Sequence, residues 1–109
     1  MYQIENKIVG TFTYSFSVYD IDYFYQIYKN GNQYQGKIVW LSEPIDPVTK
    51  KPKTDTKHPN PEQHNRPLLG LINLWGFQFN EKEGNWAGGH IYDPKNGKEY
   101  KCNISFSLK

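Results

Sequence analysis

From Tyr100 to Lys109 apolar and polar side chains alternate without a break. Tyr100, Cys102, Ile104, Phe106 and Leu108 fall on one side, and Lys101, Asn103, Ser105, Ser107 and Lys109 on the other. Strand side chains repeat with period two, so this pattern describes a strand with one buried face. Residues 8–18 repeat it, with Ile8, Gly10, Phe12, Tyr14, Phe16 and Val18 opposite Thr11, Thr13, Ser15 and Ser17. Such faces must be buried by closing the sheet on itself or by packing two sheets together. The composition agrees: nine Tyr, six Phe and three Trp stand in a chain of 109 residues that holds one Met. These residue types favour strands, and the helix formers Ala and Met occur once each.

The remaining strand signals are Tyr23–Tyr28, Tyr34–Leu41, Leu68–Trp75, Phe77–Phe79 and Trp86–Tyr92, the last loosened by Gly88 and Gly89. Asn30-Gly31 between two aromatic runs predicts a hairpin, because both residues tolerate the positive φ of a tight turn. Asn80–Asn85 and Asp93–Gly97 read as further turns, with the Asp93 side chain bonding the turn backbone. The chain is therefore expected to form one all-β domain over residues 1–109. Its fold is an antiparallel meander that curls into a small barrel or packs as a sandwich.

Residues 43–67 interrupt this pattern and contain six of the seven prolines. A connection this long in a small domain is functional or a packed cover. Within it, Asn60-Pro61-Glu62-Gln63 predicts a short helical turn near 61–65. Asn60 caps it, Pro61 suits its first position, Gln63 reaches back to the cap, and Pro67 ends it. His58 and His64 do not have the i,i+4 spacing of a zinc-binding helix, and His90 lies on a strand. They read as exposed loop residues and a strand residue, and no metal ligand is assigned. Arg66, between the turn and an apolar strand, is placed to bind carbonyls or a carboxylate and fix the loop to the sheet.

Several function classes lose support. The net charge is +2, and the lysines at 50, 51, 53 and 57 read as a solvated loop, so nucleic acid is not the expected partner. The single cysteine, Cys102, excludes an internal disulfide and any CxxC motif, and its place on an apolar face predicts a buried, inert thiol. No apolar run is long enough for a membrane helix, and no export signal is visible. Asn96-Gly97-Lys98 is a turn and lacks the other residues of a phosphate loop. Trp40, Trp75 and Trp86 read as core or barrel lining. No catalytic residue or cofactor is assigned.

Three blocks together resemble a known family. They are GKIVWL at Gly36–Leu41, then D-x-x-x-P-x-P-x-x-x-x-RPLLGL over Asp55–Leu71, and W-x-G-G-x-IYDP-x-NGK-x-Y over Trp86–Tyr100. The pattern is similar to the uncharacterised bacterial family called domain of unknown function 2147. The resemblance implies a lipocalin-like barrel or half-barrel and a periplasmic or secreted setting, and it brings no activity with it. Family members continue into a further C-terminal segment. Without it the last strand would leave an edge open to a second copy of the chain, which implies a homodimer.

Three functional readings follow. In the first, the chain is a non-enzymatic barrel that binds an apolar or amphipathic small ligand through Arg66, Trp75, Trp86, His90, Tyr92 and Tyr100. In the second, it is an interaction or structural protein that uses the 43–67 loop or a sheet edge. In the third, it is a small enzyme using Arg66, His90 and Asp93. Strand alternation weakens the third, since His90 and Tyr92 share a face and Asp93 falls on the other.

Overall fold

The computed structural model describes residues 2–6 and 15–106. The strands are β1 (Tyr2–Asn6), β2 (Ser15–Tyr19), β3 (Tyr23–Asn30), β4 (Gln33–Leu41), β5 (Ile72–Asn80), β6 (Asn85–Asp93) and β7 (Lys98–Phe106). They form one sheet in the order β1-β7-β6-β5-β4-β3-β2. β2 to β7 are an antiparallel meander. β1 lies parallel to β7 and also approaches β2, so the sheet curls round until its two ends come together. Of the strand expected over residues 8–18, Ser15–Val18 lies in β2, and residues 8–14 are outside the described part. The edge of β7 expected to stand open for a second copy is instead covered by β1, from Tyr2 beside Cys102 to Asn6 beside Phe106.

The β3–β4 connection is the expected hairpin. Its two central residues are Gly31 and Asn32, and of these only Gly31 has positive φ, at 64°. That places glycine first in the turn, the arrangement that matches strand twist with a single left-handed residue. The segments expected at 68–75 and 77–79 are one strand, β5, which begins at Ile72.

Among the described residues, side chains pack into the interior as one core. Val18, Tyr25, Ile27, Ile38, Leu74, Phe77, Ile91, Cys102 and Ile104 are almost wholly buried and belong to one cluster. Burial holds the Cys102 thiol up at about 12, so it stays protonated. Two inward glycines make room for this packing. A Cβ on Gly36 would press on Ile27 and Leu74, and one on Gly89 would enter the Phe77 ring. One end of the barrel carries the β2–β3 and β6–β7 turns together with the long β4–β5 connection. Leu68, from that connection, is part of the core.

Gly89→Ala should lower stability by about 1–3 kcal/mol through overpacking against Phe77. Gly89 lacks positive φ, so backbone strain does not contribute. A shift in the urea midpoint with unchanged slope would show this, and an unchanged midpoint would contradict the packing described.

Candidate functional site

The long connection is ordered by its own hydrogen bonds. The Thr54 and Pro67 segments bridge antiparallel, with Asp55 N–H donating to Arg66 C=O at 2.9 Å and Leu68 N–H to Lys53 C=O at 3.1 Å. Ile45 bridges Pro52 across a turn in which the Asp46 carboxylate accepts the Val48 and Thr49 N–H groups. Those bonds lower the Asp46 pKa. The connection is tied to β4 by Gly70 N–H to Ile38 C=O at 2.7 Å.

The 3-10 turn Pro61–Gln63 is capped by Asn60, whose side chain accepts the Glu62 N–H at 3.0 Å. Gln63 closes the turn through its backbone N–H to Asn60 C=O, in place of the expected side-chain bond. His58 and His64 are half-buried rather than exposed. His58 Nδ1 accepts the Asn60 N–H at 2.9 Å, and His64 Nε2 donates to the His58 carbonyl at 2.7 Å. Both rings therefore fasten the loop. Among the described residues, no group of three His, Cys, Asp or Glu is placed to hold a metal ion.

The strongest tie is Asp55, which is wholly buried. Arg66 Nε and Nη2 both reach its Oδ2 at 2.8 Å, and the Tyr92 hydroxyl donates to Oδ1 at 2.6 Å. The guanidinium also lies over the Tyr92 ring at 5.5 Å, and the His58 ring packs on Tyr92 at 5.3 Å. Arg66 thus has the role expected of it. Its partner carboxylate, in the same sequence block, had no role assigned. Burial, and then the bond to Asp55, push the Tyr92 pKa upward. Gly97 completes the latch: its φ of 73° suits the β6–β7 turn, and any Cβ there would collide with the Lys57 carbonyl.

Beside the latch lies an apolar cleft of about 300 Å³ between the connection and the outer face of β4. Its walls include Val39, Trp40, Ile45, Pro52, Pro67 and Leu69, with Lys53 on the rim. Trp40 was expected in the core or lining the barrel, yet it is 43% exposed on the outside. The cause is a bulge. Phe24 pairs with Trp40 and the next residue, Tyr25, with Ile38, so Val39 is an extra residue and alternation is reset. Trp40 is held by a cross-strand aromatic row on the outer face. It stacks on Phe24 at 4.3 Å, and Phe24 meets Tyr19 edge-on at 4.6 Å.

The other expected ligand residues do not converge. Trp75 faces outward and stacks on His90 at 5.6 Å, so neither lines the interior. Tyr92 shares that outer face and is buried beneath the connection. Trp86 is inside, against Phe16 at 4.4 Å and Phe79 at 5.0 Å, at the end away from the latch. Tyr100 packs against the core, and its hydroxyl accepts from Asn96 Nδ2 at 2.7 Å. Asp93 accepts the Lys95 N–H within its turn. The trio Arg66, His90 and Asp93 is thus divided among the latch, the Trp75 stack and a turn.

Asp55→Asn should cost about 2–4 kcal/mol, because it leaves Arg66 and the latch uncompensated while Arg66 keeps partial contact with water. Tyr92→Phe should cost less, about 1–2 kcal/mol. Chemical denaturation checks both, and the reverse order would contradict the latch. Burial, then the Asp93 charge, push the Tyr23 hydroxyl up to about 12. An unfolded tyrosine titrates near 10, so the folded state holds its proton longer. The stability this contributes is complete below about pH 10 and is lost as pH rises toward 12. Urea midpoints should fall across that window, and Tyr23→Phe should flatten the fall.

The comparisons with known proteins come to the same architecture. Residues 16–109 match the family described as an uncharacterised protein conserved in bacteria, domain of unknown function 2147. No curated protein matches the sequence. The structure is similar to that of the Helicobacter pylori protein HP1028, which is described as belonging to the lipocalin family. The TM-score is 0.64 at 19% identity. The match covers 87% of this chain and 62% of that one, so it spans less than two thirds of the longer protein. The likeness shows a shared lipocalin-like fold. No helix among the described residues is long and apolar enough to cross a membrane.

Proposed function

The chain belongs to the bacterial family of domain of unknown function 2147, and from that premise we propose that it is a non-enzymatic module binding a small amphipathic ligand. The site is the cleft between β4 and the 43–67 connection, not the barrel centre. One observation carries this reading. Trp40, Ile45 and Leu69 stand exposed around one apolar hollow whose walls are held by the buried Asp55–Arg66 pair. Apolar surface gathered in a concave, pre-formed site with a polar group at its rim is the usual make-up of a small-molecule site. At about 300 Å³ the cleft is at the small end of that class, with room for roughly ten water-sized groups. A chain of roughly eight carbons fits that space. The lipocalin-like fold supports ligand binding in general. The packing of Phe77, Leu74 and Ile27 in the core supports a place outside the barrel. A periplasmic or secreted setting belongs to the same proposal and is supported by the family resemblance.

Octanol should bind with a dissociation constant of roughly 0.1–1 mM, given its few heavy atoms. Amide shifts in NMR spectra should cluster on Val39, Trp40, Ile45 and Leu69. Leu69→Asp, at a residue 59% exposed, should weaken binding about tenfold with an unchanged unfolding midpoint. Shifts confined to Trp86 and its interior neighbours would overturn the choice of site.

A further inference from the structure

Next to the apolar cleft is a second, polar hollow of about 160 Å³, walled by Asp22, Ser42, Glu43 and Lys95. Leu41 and Lys53 line both, so the two hollows share one wall. Together they offer an apolar chamber and a hydrogen-bonding one on the same face.

The cations of the polar hollow are not equivalent. Lys95 reaches Asp22 at 2.7 Å and also lies over the Tyr23 ring at 5.6 Å. Lys53 pairs directly with Glu43, at 3.3 Å, where the Glu43 side chain is 79% exposed, and it acts on the Asp46 carboxylate at longer range. An ion pair of that length with one partner in water contributes little, because solvent competes for both groups. The Lys53 side chain is itself largely covered, so its stem runs along protein, and the residue belongs to the wall that the two hollows share.

Building on the cleft reading above, we propose that the ligand is an anionic amphiphile. Its apolar chain lies over Trp40, Ile45 and Leu69, and its carboxylate or other anionic head displaces Glu43 from Lys53. Glu43 is then a weak internal competitor for the head-group site. The exchange breaks one exposed ion pair and forms another, and it frees the Glu43 carboxylate to full hydration. Charge complementarity favours this occupant over a protein segment, because Lys53, the one cation among the described residues that line the apolar cleft, has a direct partner that is easily replaced.

The test compares octanoate with octanol, which share a chain and differ in head group, by calorimetric titration at low ionic strength and pH 7. The measured quantity is the ratio of the octanol to the octanoate dissociation constant. Lys53→Met should lower that ratio about fivefold, leaving octanol binding nearly unchanged. Glu43→Gln should raise it about threefold, because the competitor loses its charge. Sodium chloride at 0.5 M should shrink the wild-type ratio. A ratio that stays constant in both variants while octanol still binds overturns the anionic head and leaves the cleft reading standing. Binding of neither probe overturns both. A Glu43→Gln ratio that falls also refutes the exchange, since it would make Glu43 a contributor to the site.

Discussion

A carboxylate with no access to water is a liability unless its charge is met, and Asp55 meets it within the connection that it anchors. One oxygen takes two guanidinium nitrogens of Arg66 and the other takes the Tyr92 hydroxyl. Arg66 lies eleven residues further along the same connection, and Tyr92 lies on β6. The ion pair therefore closes the loop on itself, and the hydroxyl fastens the closed loop to the sheet. Removing a member leaves a buried charge without its partner, so the latch is more costly to break than it is rewarding to form. That asymmetry selects one arrangement of a proline-rich segment that would otherwise have many. It also explains the spacing of two sequence blocks that lie far apart in the chain: one supplies Asp55 and Arg66, and the other supplies Tyr92 and the Gly97 turn.

The barrel was legible because alternation is a local property. Cys102, Ile104 and Val18 face inward as the period-two pattern requires, and the Gly31 turn lies where the hairpin was expected. Alternation failed where the backbone resets it. Val39 is an extra residue in β4, so Val39 and Trp40 are both exposed. Gly76 and Gly88 have φ of 80° and 73° on adjoining strands, and beyond them Phe77 and Trp86 face inward while Trp75 and His90 remain outside. A bulge leaves little trace in the types of the residues beside it. The assignment of Trp40 and Trp75 to the interior was therefore the reasonable reading of a regular strand, and it was wrong.

The site was less legible than the fold. Arg66 could be singled out because an arginine beside an apolar strand needs a partner, but nothing local to Asp55 reveals that it is buried. His58 and His64, expected as exposed loop residues, instead bond the backbone within six residues of themselves. The cleft depends on the β4 bulge and on the path of the connection, and a single sequence shows neither. Lysines 50, 51, 53 and 57 look alike as a run. Only the fold distinguishes Lys53, by making it, with Leu41, part of the lining of both hollows.

Latch and cleft are parts of one construction. Pro52 and Lys53 lead into Asp55, and Pro67 and Leu69 follow Arg66, so the loop side of the cleft hangs from the two ends of the ion pair. The opposite side is β4, where the row Tyr19–Phe24–Trp40 holds the indole in place. Both walls are thus fixed before any ligand arrives. A short amphiphile has little interaction energy with which to order a mobile loop, and ordering even a few residues would consume most of it. A rigid wall removes that requirement. The buried charge and the exposed apolar surface, each unfavourable alone, become intelligible together: the first holds the second in a shape that a small ligand can use.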